Sequence, residues 1–564
     1  MDFEGIIEEG TIMIPKSELS LEEIASWLKY ESESNDFKSK ISDLLFDLCG
    51  LRSIPGADVA EAALEENAVF DRLIKMIQSE ALPGRIEKRR IDEGIADDRR
   101  YTKPYYTADE NPYRNRSNLI HIYEPENGVF LGSSLALNAH IDTVAPYFTP
   151  YIKEEKLYGR GACDDKGCCA AILGASILLE KLRKAYGIAP TGRIVWMYVI
   201  DEESGGNGSL ALAADAELAA LYDTIIIAES TEDQIHASNR GAVWYKVELG
   251  LETPESTSFA LKIVRAFEKS GRSLRSESEH PQFPLKPVQT CHGILGKFGE
   301  HPSRICGSIE FSISGEHLDF AGIAKLAKKG LESYIDDYGD RTKIIDPFTK
   351  KPKIDKHFDL FQQDGKIILT VYGNTGHMGS SLENDNAITK AAFIVPEIQK
   401  SNSKPCIRLA RTVSGPFLLE GGQGFLPSHT IEQIKSRMEK ALEALYEEET
   451  TKNGYQGSLP VLSFDKLHNE AFARDPNSPE ALKAIEAARM LGIHIKLPLS
   501  GFPASCDARL FASFHQDKQV FTSGPGSLRF AHSDNEHIDL TELVRSCAFY
   551  ALYALSITRR IGRD

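Results

Sequence analysis

Three short apolar runs constrain this chain more than any other feature: SLALNA (134–139), RIVWMYVI (193–200) and DTIIIA (223–228). A run that is apolar at nearly every position must be covered on both faces, as strands of a parallel sheet are. Each run ends in, or is followed by, polar residues. Between the first two lies CCAAILGASILLEKLRKAYG (168–187), which reads as a helix with a small-residue face, basic residues in its last turn and Gly187 as its stop. Strand, helix, strand in that order predicts an α/β domain with a mainly parallel sheet.

The α/β pattern runs from about residue 41 to 241 and returns over 471–564, where SPEALKAIEAARMLG (478–492) and DLTELVRSCAFYALYALSIT (539–558) read as helices and KQVFTSGPG (518–526) as a strand and turn. Residues 1–40 read as an N-terminal extension with one helix, SLEEIASWLKYE, capped by Ser20. Residues 242–470 are rich in Gly, Pro and Ser breaks and contain two similar stretches. The first has strand and helix at 244–268, a strand at 303–313 and a helix at 321–335; the second has strand and helix at 367–398, a strand at 406–413 and a helix at 430–445. This predicts an inserted α+β domain made of two lobes by internal repetition.

A chain of 564 residues exceeds one ordinary compact domain. A net charge of −17 disfavours nucleic acid as a partner, because an acidic surface repels a phosphate backbone. The N-terminus MDFEGIIEEG lacks a basic region followed by an apolar one, and no apolar run approaches a membrane span. Nine scattered cysteines do not form a disulfide framework, so reduced thiols and a cytoplasmic location are expected.

The chemistry lies where the strands end. His140 and Asp142 follow the first strand, Asp164 and Asp165 the turn GRGACDDKG (159–167), Asp201, Glu202 and Glu203 the second strand, Glu229 the third, and His532 the strand of 518–526. Ligands of open parallel sheets gather at the carboxyl ends of the strands. In an extended chain Asp142 points the same way as His140 and reaches the far ring nitrogen, the usual partner of a metal histidine. Two histidines and three carboxylates suit zinc, with cobalt or manganese as alternatives, and the count fits two ions that share one carboxylate. Adjacent residues of an extended chain face apart, so one of Glu202 and Glu203 is a ligand and the other is free to take a proton.

With these motifs, and with AHIDTV (139–144), DEESGG (201–206), AES (228–230), GHMGS (376–380), NAI (386–388) and GPG through HSDNE (524–536), the chain resembles the co-catalytic zinc hydrolases. That family includes bacterial glutamate carboxypeptidase, aminoacylase, acetylornithine deacetylase, succinyl-diaminopimelate desuccinylase and the cytosolic di- and tripeptidases. The resemblance implies that His140 and Glu229 hold one ion, Glu203 and His532 the other, and that Asp164 bridges them. It implies Asp142 as the orienting residue, Glu202 as the general base and a cis bond between Asp164 and Asp165. His377 would then steady the oxyanion from an inserted lid, within one chain if the lid is doubled or across a homodimer if it is not. The substrate expected is a dipeptide, a peptide end or an N-acyl amino acid, with Arg411 and Arg509 as the arginines that fork its carboxylate.

Overall fold

The computed structural model describes residues 19–125, 130, 132–299, 302, 304–345, 350–376, 378, 385–411, 415–464 and 468–558. Its larger domain is built on a six-stranded sheet: β1 (Arg85–Arg90), β2 (Ser117–Tyr123), β3 (Leu135–His140), β4 (Ile194–Val199), β5 (Thr224–Ile227) and, from the far end of the chain, a strand at Gln519–Thr522. The order is β1-β2-β4-β3-β5, then the Gln519–Thr522 strand at the edge. Only β2 runs against the others: it pairs antiparallel with β1 and β4, while β4, β3, β5 and the last strand pair in parallel. The three apolar runs are therefore central strands with both faces covered, and β3, β4 and β5 are buried along their whole length.

Helix α4 (Lys166–Tyr186) is the crossover between β3 and β4, with Gly187 at φ 71° as its C-cap. Three helices precede it: α1 (Leu21–Ser32), α2 (Asn35–Gly50) and α3 (Val59–Ser79). The small-residue face of α4 lets the C-terminal helix at Leu540–Thr558 approach closely, since a Cβ at Gly174 would stand 2.5 Å from Cys547 Sγ. That C-terminal helix departs from the expectation of no membrane-length run: it is long and apolar enough to cross a membrane, and most of it is buried inside the domain. Helix α1 also departs from the reading of residues 1–40 as an extension. Ser20 and Glu23 form its capping box, but Ile24, Ala25 and Leu28 are buried in the same core as α4. The boundary at 40/41 falls inside α2.

The inserted region forms two lobes of identical topology. Along the chain come β6 (Gly241–Glu248), α5 (Pro254–Glu277), β7 (Thr290–Leu295), β8 (Ser308–Ser314), α6 (Phe320–Tyr338), β9 (Phe358–Gln363), β10 (Lys366–Tyr372), α7 (Ala387–Ile398), β11 (Cys406–Leu409), β12 (Leu418–Phe425), α8 (Ile431–Lys452) and β13 (Val461–Ser463). One antiparallel sheet has the order β7-β12-β6-β13, the other β9-β10-β8-β11. Each lobe thus reads βαββαβ, with its strands in the spatial order 2-3-1-4. The second lobe sits whole between β7 and β12 of the first.

The two sequence copies therefore do not coincide with the two lobes. The first copy gives β6 and α5 to one lobe and β8 and α6 to the other, whereas the second gives β10, α7 and β11 to the second lobe and only α8 to the first. Local pattern does not determine which distant strand closes a sheet. The closing strand β12 is also hard to read, because LLEGGQGF is rich in glycine. Those glycines are required by close approach: a Cβ at Gly421 would lie 2.0 Å from the Cys291 carbonyl oxygen. The lobes share one apolar core and are tied by polar contacts, with Asn386 Nδ2 donating to the His292 carbonyl at 2.7 Å and Thr389 Oγ1 to Glu268 Oε1 at 3.2 Å.

Candidate active site

The carboxyl ends of β3, β4 and β5 and the loop after the Gln519–Thr522 strand converge on one pocket. His140 is the last residue of β3. Its Nε2 lies 3.1 Å from Asp164 Oδ1, and its backbone N–H donates to Asp165 Oδ2 at 3.0 Å. Its Nδ1 meets the backbone carbonyl of Asp142 at 3.0 Å, nearer than the Asp142 carboxylate at 3.5 Å. The chain leaves the strand at residue 140, so the i, i+2 argument for the Asp142 side chain holds only in part. The Asp142 carboxylate instead accepts from the backbone N–H groups of Glu202 (3.1 Å) and Glu203 (3.0 Å), and so holds the next loop.

That loop is a turn rather than extended chain, with Asp201 at φ 69° and Gly206 at φ 73°. Asp201 is fully buried and accepts from Tyr106 Oη at 2.8 Å and Tyr113 Oη at 2.5 Å, with Arg116 at 3.8 Å. Glu203 Oε1 then reaches His532 Nε2 at 3.0 Å, and Asp164 Oδ2 lies 3.2 Å from the same nitrogen. Glu229, just beyond β5, is buried.

Atoms that could hold a metal form two trios, His140–Asp164–Glu229 and Asp164–Glu203–His532, each with its atoms within 4.8 Å of one another. Asp164 belongs to both, and Glu202 belongs to neither. The Asp164–Asp165 bond is cis, as the resemblance implies.

Glu536, Arg160, Glu66 and Arg116 also build this site and escape a reading of the sequence. Glu536 Oε1 accepts from the backbone N–H of Cys163 (3.3 Å) and of Asp164 (3.2 Å), and its other oxygen is paired with Arg160 at 2.5 Å. These two buried residues fix the GRGACDD loop from the far end of the chain. Gly161, at φ 85°, makes room for the turn, since a Cβ there would stand 2.8 Å from Thr143 Cγ2. Glu66 and Arg116 form a buried pair at 2.6 Å behind Asp201. Both Arg160 and Glu536 sit in motifs that the sequence displays, but their contact spans 376 residues, and no local spacing reveals it.

The charges fit a pair of cations. Burial, then the charges of Asp165 and Glu202, holds the Glu229 carboxyl well above the usual carboxylate range. Burial and the Asp507 charge do the same for Glu202. Desolvation lowers the affinity of His140 for a proton, but hydrogen bonds to Asp142 and Asp164 outweigh it and hold this imidazole well above its ordinary value. His532 is likewise desolvated and is held well above by Glu203 and Asp164. Without metal the site therefore keeps protons near neutrality, which dications would expel. Loading the apo-protein with zinc is expected to release protons, read as a binding enthalpy that scales with the ionisation enthalpy of the buffer. Because the raised groups must lose protons to bind, apparent metal affinity falls as pH falls. A binding enthalpy that is the same in every buffer would contradict this charge balance.

The remaining residues named from sequence fall outside the two trios. His377 lies outside the described residues. Its neighbours are anchored, with Ile305 N–H donating to the Gly376 carbonyl at 2.9 Å and Gln289 Nε2 to the Met378 carbonyl at 3.1 Å. Arg411 is exposed beyond β11, its guanidinium 5.4 Å from the Phe298 ring. Arg509 is buried behind the turn that carries Glu202 and donates to the Gly205 carbonyl at 3.0 Å.

A family model described as Peptidase family M20/M25/M40 matches residues 136–556. Among curated proteins, a probable carboxypeptidase of Trichophyton verrucosum is 28% identical over 260 residues, covering 43% of this chain and 50% of its own. A peptidase M20 domain-containing protein of Schizosaccharomyces pombe is 34% identical over 116 residues, covering 20% of this chain and 28% of its own. Carboxypeptidase G2 of a Pseudomonas species is 33% identical over 129 residues, 21% of this chain and 29% of its own. The chain thus spans half or less of the length of these relatives. Among solved structures, human carnosine dipeptidase 1 superposes with a TM-score of 0.54 at 14% identity, over 96% of this chain and 100% of that one. The dipeptidase Dug1p of Saccharomyces cerevisiae gives 0.57 at 11% identity, over 95% and 99%.

Proposed function

We propose that this chain, which belongs to peptidase family M20/M25/M40, is a zinc-dependent hydrolase of an amide or peptide bond in a small substrate: a dipeptide, a peptide end or an N-acyl amino acid. The observation that carries the reading is the sharing of Asp164 between two ligand trios. His140 and Glu229 would hold one ion with Asp164, and Glu203 and His532 the other. When bound, the ions supply polarisation of the scissile carbonyl and lower the pKa of a water to roughly 7.

The protein's own groups do the rest. Glu202 takes a proton from the attacking water and passes it to the leaving amine. Its raised proton affinity suits both halves of that task. Asp142 keeps Glu202 and Glu203 in register through their backbone N–H groups. Glu536 and Arg160 keep Asp164 in place. His377 is proposed to donate to the oxyanion of the tetrahedral intermediate, and Arg411 to meet the substrate carboxylate. None of the nine cysteines is in a disulfide, which favours a reducing compartment such as the cytoplasm.

A panel of dipeptides and N-acyl amino acids, assayed after zinc or cobalt loading, tests the reading. Metal-dependent release of a free amino acid is expected, and a metal-loaded protein inert to the whole panel would refute it.

The two lobes suggest that the active site is complete in one chain. In this reading the second lobe takes the place of a partner's lid, and His377 would arrive in cis. Mixing Glu202→Gln chains with His377→Ala chains under exchange conditions is expected to restore no activity. Recovery would show that the histidine crosses between subunits.

A further inference from the structure

A cavity of about 390 Å3 lies where α8 of the first lobe meets the larger domain, and no metal ligand lines it. We propose that it is a binding site for a small oxyanion, a di- or tricarboxylate or a phosphate-like group, held between lobe and domain. Its volume is within the range of small-molecule sites, about 300–1,000 Å3.

The first argument is charge. The walls carry Arg99, Arg100, Lys103, Lys435 and Arg509 against Glu432 and Glu470. Such a concentration of cations is unexpected in a chain of net charge −17. Arg100 is occupied by Asp98, which it grips with two nitrogens at 2.8 and 2.7 Å. Glu432 and Glu470 feel the charges of Arg99 and Lys435 and offset them in part, but none of Arg99, Lys103 and Lys435 forms a close ion pair among the described residues.

The second argument is a buried donor. Arg509 is 4% exposed, gives one nitrogen to the Gly205 carbonyl at 3.0 Å, and has an Nε with no hydrogen-bond partner. Arg509 lines the cavity while most of it is desolvated, so an oxyanion there would meet a guanidinium that water hardly reaches.

The third argument is the lobe's contribution. Ile431, Glu432 and Lys435 of the 22-residue α8 line the cavity; the helix end itself is capped by Thr430 and Gln433, so the lobe's cation there is Lys435. Cations stand on both sides of the joint, Arg99, Lys103 and Arg509 on the domain and Lys435 on the lobe. They repel one another when the cavity is empty of anion, and an anion between them would fasten the lobe to the domain. The same anion would touch Arg509, and through it the turn that carries Glu202 and Glu203.

Calorimetric titration of the full-length chain as purified, at low ionic strength, with tricarballylate and separately with sulfate tests the site. Saturable binding of at least one of the two, one per chain, is expected, and the tighter of them identifies the ligand as carboxylate-type or phosphate-type. The Arg99→Gln/Lys435→Gln double variant should weaken that binding at least tenfold without changing metal content. If the double variant does not fold, the exposed Lys103→Gln should weaken it by about threefold. No saturable binding of either anion, or an unchanged Kd in the variants, which would place the anion on the metal centre, overturns the proposal.

Discussion

Replacing Glu202 by Gln lowers turnover by about 10²–10⁴-fold, the usual range for a positioned general base, and leaves both metal ions bound. The substitution keeps the shape of the side chain and removes its ability to take a proton. The backbone N–H of residue 202 still donates to Asp142, so the turn that presents Glu203 is preserved. Glu202 is in neither ligand trio, which is why metal content is the decisive control. A Glu202→Gln protein that has lost an ion, measured by metal analysis beside the kinetics, would mean that the roles of Glu202 and Glu203 are exchanged.

Asp164→Asn removes more. Asp164 is the one side chain common to both trios, with one oxygen 3.1 Å from His140 and the other 3.2 Å from His532. An amide can offer one weak ligand oxygen but cannot bridge two cations. Several kcal/mol of transition-state stabilisation depends on the ions, so activity should fall by about 10³–10⁴-fold. Unlike Glu202→Gln, this variant should also fail to keep two ions. The His140 and His532 imidazoles, held well above their ordinary values partly by Asp164, should titrate lower in the metal-free variant. Histidine resonances followed against pH by NMR test this: unchanged midpoints, or two ions retained, would remove Asp164 from the centre of the site.

What the sequence made legible followed from local rules. Apolar runs reported β3, β4 and β5, and the polar residues at their ends reported the side chains that come together in the two trios, because a parallel sheet presents its strand ends on one edge. The helix between them was readable from Gly187 and its small-residue face. Contacts between distant segments were not. Glu536 and Arg160 meet across the whole inserted region, and Asp142, besides lying beside the His140 ring, braces residues 202 and 203. The 201–206 segment is a turn held by buried Tyr106, Tyr113 and Arg116, and nothing in DEESGG announces those partners. The repeat in the inserted region was visible, but its partition was not, since strand pairing and not strand order decides which lobe a segment joins. Helix α1 was correctly capped by Ser20 yet assigned to an extension, because its apolar face gives no sign of what covers it.

The central claim is a two-ion centre built on a shared aspartate, and metal stoichiometry tests it most directly. After loading with zinc and removal of loosely held ion, elemental analysis should give two zinc ions per chain for the unaltered protein. It should give about one for His532→Ala, which breaks only the Asp164–Glu203–His532 trio. One ion or fewer per chain in the fully loaded, unaltered protein would contradict the account.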